Sequence, residues 1–172
     1  MNAAEISGLF DQLFLKDHQT RLVGGFDEPF YRSPRPGRGG EIRFRENFAA
    51  SALHEVAHWC IAGRRRREQD DFGYWYEADR DEVAQDTFEQ LEVGVQGLEW
   101  VLCVAAGVPF RVSVDNFRVD NRDRLRKRVR QAVLDRIASG LPPRARTFAD
   151  ALAGVSGRAD YLSVANYEEE PL

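Results

Sequence analysis

The run from Phe48 to Gly63, FAASALHEVAHWCIAG, constrains this chain more than any other stretch. It has helical length, is made of good helix formers and ends on glycine, so it reads as an apolar helix with Asn47 as its cap. Within it His54 and His58 stand four residues apart, which on a helix puts them on one face about a turn apart. Buried imidazoles converging on one point leave ring nitrogens without partners, a cost that a metal ion removes. The helix is therefore expected to hold a metal, with Glu55 beside it as the catalytic carboxylate.

The chain has 172 residues, of which 43% are hydrophobic, enough for a single domain spanning 1–172 with a core that needs no disulfides. Cys60 and Cys103 lie in apolar helical stretches outside any Cys-x-x-Cys spacing, so they read as buried free thiols. Met1 to Lys16 is acidic and amphipathic rather than signal-like, and no apolar run reaches spanning length, so a soluble, cytoplasmic protein without membrane partners is expected. A net charge of -4 gives no general pull towards nucleic acid, and no direct binding of it is expected. Positive charge is nevertheless concentrated at Arg64–Arg67 and between Arg122 and Arg130, either as solvated helix faces or as a docking surface for an acidic macromolecule.

Along the chain, Ile6, Leu9, Phe10, Leu13 and Phe14 mark an amphipathic helix over 3–16 with Asn2 as its cap. A short strand is expected at Thr20–Val23, a Pro- and Gly-rich loop over 26–40, and a half-buried strand at Glu41–Arg45. Beyond the arginine run, Asp71 to Tyr76 (DFGYWY) has strand propensity. Asp79 and Glu82 resemble a capping box for a polar helix over 80–90. Gly94 and Gly97 are expected to loosen the chain before an apolar helix over 98–106, the packing partner of the metal helix. Phe110, Val112 and Val114 alternate as in a strand. A helix over 121–139 buries Leu125, Val129, Val133 and Ile137, Pro142-Pro143 breaks the chain, and a short helix over 148–153 precedes an acidic tail.

A working site needs a third ligand. His18, in the polar setting LKDHQT, reads as a surface residue, and no histidine follows the pentad, so a carboxylate is expected. Glu89, Glu92 and Glu99 are the candidates; Glu92 is preferred because Leu91 and Val93 anchor it where the chain enters the apolar helix. Two chemistries suit such a set. Zinc with Glu55 as general base would make a hydrolase of peptides or RNA, and iron(II) in a 2-His-1-carboxylate triad would make an oxidising enzyme with dioxygen as co-substrate. A non-catalytic module with a structural metal is a third option.

The blocks SALHEVAHWCIAG, DFGYWY, FEQLEV and LEWVLCVAAGVPFRVSVDN, preceded by DEPFY and followed by the basic helix, together resemble the elongation factor P hydroxylases of gamma-proteobacteria. The resemblance covers most of the chain. It implies an α+β fold with the metal helix at its centre, packed on helices and a small mixed sheet. It further implies His54, His58 and Glu92 as ligands, with iron(II) the expected ion and zinc the alternative. The implied reaction hydroxylates a lysine of elongation factor P that already carries a β-lysyl group, the last step of that modification. Tyr74, Trp75 and Tyr76 are then candidates for the wall of a channel that takes the cationic arm. Arg64–Arg67 and the basic residues over 122–130, Arg126, Lys127 and Arg130 among them, are candidates for steering the acidic factor. Nothing in the sequence points to an oxoglutarate site, so the electron donor is left open.

Overall fold

The computed structural model describes residues 1–73, 82–113 and 122–168. Helix α1 (Ala3–His18) starts at Asn2, whose side chain accepts from the Glu5 N–H while the Glu5 carboxylate accepts from the Asn2 N–H, a reciprocal capping box. Its stripe of Ile6, Phe10 and Phe14 is buried. His18, expected at the surface, is half-buried instead, with its ring edge-on to Trp59 at 5.1 Å.

Strand β1 (Thr20–Phe26) runs further than expected, through both glycines. Gly24 is required there, because a Cβ would sit 2.6 Å from the Phe44 ring. The segment read as a loop contains a strand, β2 (Phe30–Arg32), which pairs antiparallel with β3 (Gly40–Arg45), while β1 pairs with β3 in parallel. The result is a small mixed sheet of order β1-β3-β2. Alternation buries Ile42 and Phe44 on the face that meets the metal helix.

That helix, α2 (Ala49–Ile61), begins one residue later than Asn47 could cap; Phe48 holds the cap position without a side-chain bond. The left-handed turn at Glu46 sets the entry of the chain. The four arginines form a one-turn helix, α3 (Arg64–Arg67), and Asp70–Gly73 form a 3-10 turn, not the start of a strand. The remainder of that aromatic segment and the capping residue Asp79 lie outside the described residues.

No break occurs at Gly94 or Gly97. Helix α4 (Glu82–Ala106) is continuous, and it packs on α2, on α5 (Arg122–Ser139) and on α6 (Pro143–Ser156). Gly97 serves packing rather than flexibility, since a Cβ there would lie 2.9 Å from the Ala132 Cβ of α5. Gly97→Ala gains about 1 kcal/mol of helix propensity but overpacks this contact by roughly 1–3 kcal/mol, so a net loss of about 1 kcal/mol is expected on chemical unfolding.

Phe110 to Ser113 form no strand. The Gln96 side chain takes over the part of a strand neighbour, accepting from the Ser113 N–H at 3.1 Å and donating to its carbonyl at 3.0 Å; Val114 lies outside the described residues. In α5, Leu125, Val129 and Val133 are buried and Ile137 partly so. The C-terminal helix is longer than expected because Pro143 occupies its first turn, where no N–H is needed. Cys60 and Cys103 are buried free thiols.

Candidate metal centre

The two histidines of α2 meet as their spacing requires, with the Nε2 atoms of His54 and His58 3.2 Å apart. Helix α4 crosses this face and brings two acids that lie two turns apart. Glu92 places one carboxylate oxygen 3.3 Å from His58 Nε2 and the other 4.0 Å from His54 Nε2. Glu99 places an oxygen 2.8 Å from His54 Nδ1. Both carboxylates are buried, where an unpaired charge would be costly.

The donor set fits a divalent cation. Glu99 holds the proton on His54 Nδ1, so it is Nε2 that would give up its own proton to an ion at the point faced by His58 Nε2 and Glu92. Metal bonds near 2.1 Å separate neighbouring ligand atoms by about 3–3.5 Å, and the two shortest separations here match that. One ligand atom from each of His54, His58 and Glu92 lies within 4.8 Å of the others, so these residues could hold a metal ion.

The electrostatics point the same way. Burial opposes a charge on His54, but Glu99, then Glu55 and Glu92, outweigh it and push its pKa up to about 10. Burial and then the charge of His54 hold His58 well below the usual imidazole range. Burial lifts Glu55 to about 7. The cluster thus attracts positive charge at its centre and tolerates it poorly on both rings at once, the balance that a central cation satisfies.

The site opens into a cavity of about 140 Å³, lined among the described residues by His54, Glu55, His58, Glu92, Asp71 and the rings of Phe30, Tyr31, Phe72 and Phe88, with Pro29 at its edge. This aromatic wall was not anticipated; Tyr74, Trp75 and Tyr76, expected in that role, lie outside the described residues. Phe72 stacks on Tyr31 at 4.2 Å with an interplanar angle of 3°, and lies near-parallel to His58 at 6.3 Å. It is held there by two acids. Asp71 accepts from the Tyr31 N–H at 3.0 Å, and Asp70 accepts from the Ser33 N–H and hydroxyl, both at 2.8 Å, so the free edge of β2 is clamped.

Asp71 and Phe72 take left-handed backbone angles, φ 49° and 57°, which non-glycine residues adopt at a cost of about 1 kcal/mol or more. Asp71→Asn keeps an acceptor and suits the left-handed region, so it should unfold close to the native midpoint. Asp71→Ala should lose about 1–3 kcal/mol on urea unfolding, because the Tyr31 N–H is orphaned and alanine tolerates the angle less well.

Of the other candidates, Glu89 faces Arg128 of α5 at 3.8 Å. Glu99 is the partner of His54 Nδ1 rather than a neighbour of both Nε2 atoms. Arg126 pairs with Asp123 at 3.7 Å, Lys127 is exposed, and Arg130 donates to the Tyr167 carbonyl at 2.7 Å. None of these three lines the cavity. Among the described residues, no helix is long and apolar enough to cross a membrane.

Comparison with known proteins identifies the family. The family described as elongation factor P hydroxylase matches residues 9–167. The elongation factor P lysine hydroxylase of Haemophilus influenzae is 40% identical over 170 residues, which cover 95% of this chain and 94% of that protein. On a match that spans nearly every described element, the chain belongs to the elongation factor P hydroxylase family.

Proposed function

We propose that this chain is a metal-dependent hydroxylase of elongation factor P, acting on the lysine that carries a β-lysyl group, in the cytoplasm, with 1–172 as one domain. The observation that carries the reading is the arrangement of His54, His58 and Glu92 on one side of a small cavity, in a chain of this family. We assign those three residues as the ligands and iron(II) as the ion. His54, His58 and Glu92 would hold the iron(II) and leave positions for dioxygen, which with two electrons from a reductant would be the oxidant that an unactivated C–H bond demands.

The protein's own part is placement. Phe30, Phe72 and Phe88 offer faces along which an extended cationic side chain can lie, and Asp71 and Glu55 supply negative charge beside them. Glu55 acts here by orienting the substrate or a water, not as the base of a hydrolysis. Membership of a hydroxylase family weighs against the zinc hydrolase reading.

The experiment is peptide mass spectrometry of β-lysylated elongation factor P after incubation with the iron(II)-loaded chain, air and a reductant. A gain of one oxygen on the modified lysine, absent with His58→Ala, is the expected result. Glu55→Gln should retain the oxygen gain. No gain with any reductant, together with cleavage of a peptide or RNA by the zinc-loaded chain, would overturn the assignment.

A further inference from the structure

A second cleft, of about 240 Å³, lies on the other side of His58. It runs between the end of α2 (Ile61, Ala62), Gly63, Arg66 of α3 and the α4 residues Leu91 and Val95. Leu91 is 39% exposed, one of few large apolar side chains left open among the described residues, and the others, Phe48, Val155 and Val164, line neither cleft nor cavity. The turn bordering the cleft presents Arg64, Arg65 and Arg66 at the surface, Arg64 in an exposed pair with Glu68 at 3.1 Å and Arg66 donating to the Phe72 carbonyl at 3.4 Å, whereas Arg67 turns inward to the Ala62 carbonyl. An aliphatic floor under three exposed arginines, on a chain whose net charge is -4, is local charge opposite in sign to the whole.

We propose that this cleft is the docking site of the protein substrate, taking an aliphatic side chain from an acidic segment of it while Arg64, Arg65 and Arg66 pair with the flanking carboxylates. The inference rests on the reading above that the substrate is a protein. Three features select this occupant. The arginine rim matches carboxylates. Among the described residues the floor is the aliphatic Ile61, Leu91 and Val95, and the one ring that lines it, His58, is half-buried and faces His54 and Glu92 rather than standing open as a stacking platform. His58 lines both the cleft and the metal cavity, so a segment anchored in one delivers a neighbouring side chain to the other. The basic residues of α5, by contrast, line neither.

The test titrates elongation factor P, and separately a labelled single-stranded RNA, into the full chain and into Arg65→Glu and Leu91→Ser. Both positions are solvent-exposed, and they lie on different elements, so agreement between them excludes local damage near Glu92. Arg65→Glu is expected to slow association about 5- to 10-fold at low salt, with the effect fading as salt rises. Leu91→Ser is expected to raise Kd about 10-fold or more through faster dissociation. In turnover, KM for the factor should rise in both while kcat holds.

Wild-type Kd and KM in both variants would overturn the docking site, as would loss of RNA binding with factor binding intact. The two readings fail separately. Weakened binding by the variants without oxygen gain from the wild-type chain leaves the docking site and removes the hydroxylase, while oxygen gain with unchanged KM in both variants does the reverse.

Discussion

Glu92→Gln should weaken divalent-metal binding by about 100-fold or more and take hydroxylation with it, whereas Glu89→Gln should change neither. Among the described residues only Glu92 brings its carboxylate to both imidazole Nε2 atoms, and an amide in its place gives up the negative charge that would balance the ion. Glu99→Gln should lie between the two, with a loss of about 10- to 100-fold, because it removes the carboxylate that holds the proton on His54 Nδ1. Cobalt(II) titration followed by its absorption bands would order the three variants without any turnover assay. Equal effects of Glu89→Gln and Glu92→Gln would contradict the ligand assignment.

Arg144→Met should cost about 2–4 kcal/mol and lower Tm by roughly 5–15 °C in calorimetry, the largest stability loss expected from a partly exposed position. Helix α2 ends at Ala62 without a left-handed cap, so its last carbonyls need other partners. Arg144 reaches over from α6 and places one guanidinium nitrogen 3.1, 3.0 and 2.8 Å from the carbonyls of Trp59, Cys60 and Ala62. The same guanidinium lies 4.8 Å from the centre of the Trp59 ring. Its charge also sits at the negative end of the helix dipole. Methionine fills the volume but leaves the Trp59 and Cys60 carbonyls without this donor, and Arg144→Lys should recover only part because an ammonium has no plane to stack on the Trp59 ring. Since His58 belongs to that last turn, metal affinity should fall with stability.

The elements that local periodicity dictates were legible in the residues. The i, i+3, i+4 stripe of α1, its Asn2 cap and the alternation of β3 all depend on neighbours in sequence, and each appears where the pattern puts it. The paired imidazoles follow from helix geometry alone. The preference for Glu92 among three glutamates rested on its apolar flanks, of which Val93 is buried and Leu91 is exposed, while Glu92 itself is buried.

Other features had no local signal, because the residues that decide them come from distant elements. Gly97 reads as a break until Ala132 is packed against it, and then it is the contact that lets α4 run unbroken beside α5. Phe110 to Ser113 alternate like a strand, yet Gln96 takes the backbone groups that a neighbouring strand would need. The aspartates before Phe72 become a clamp only when β2 offers its open edge, and that clamp brings Phe72 to the cavity wall. By itself, then, the sequence determined a helix able to present two imidazoles to an ion, since that needs only the 3.6-residue turn. Which carboxylate faces the two imidazoles, and which rings surround the space beside them, was decided by the crossing of α2 and α4 and by the clamped turn, because side chains far apart in sequence converge only after the helices and the sheet have packed.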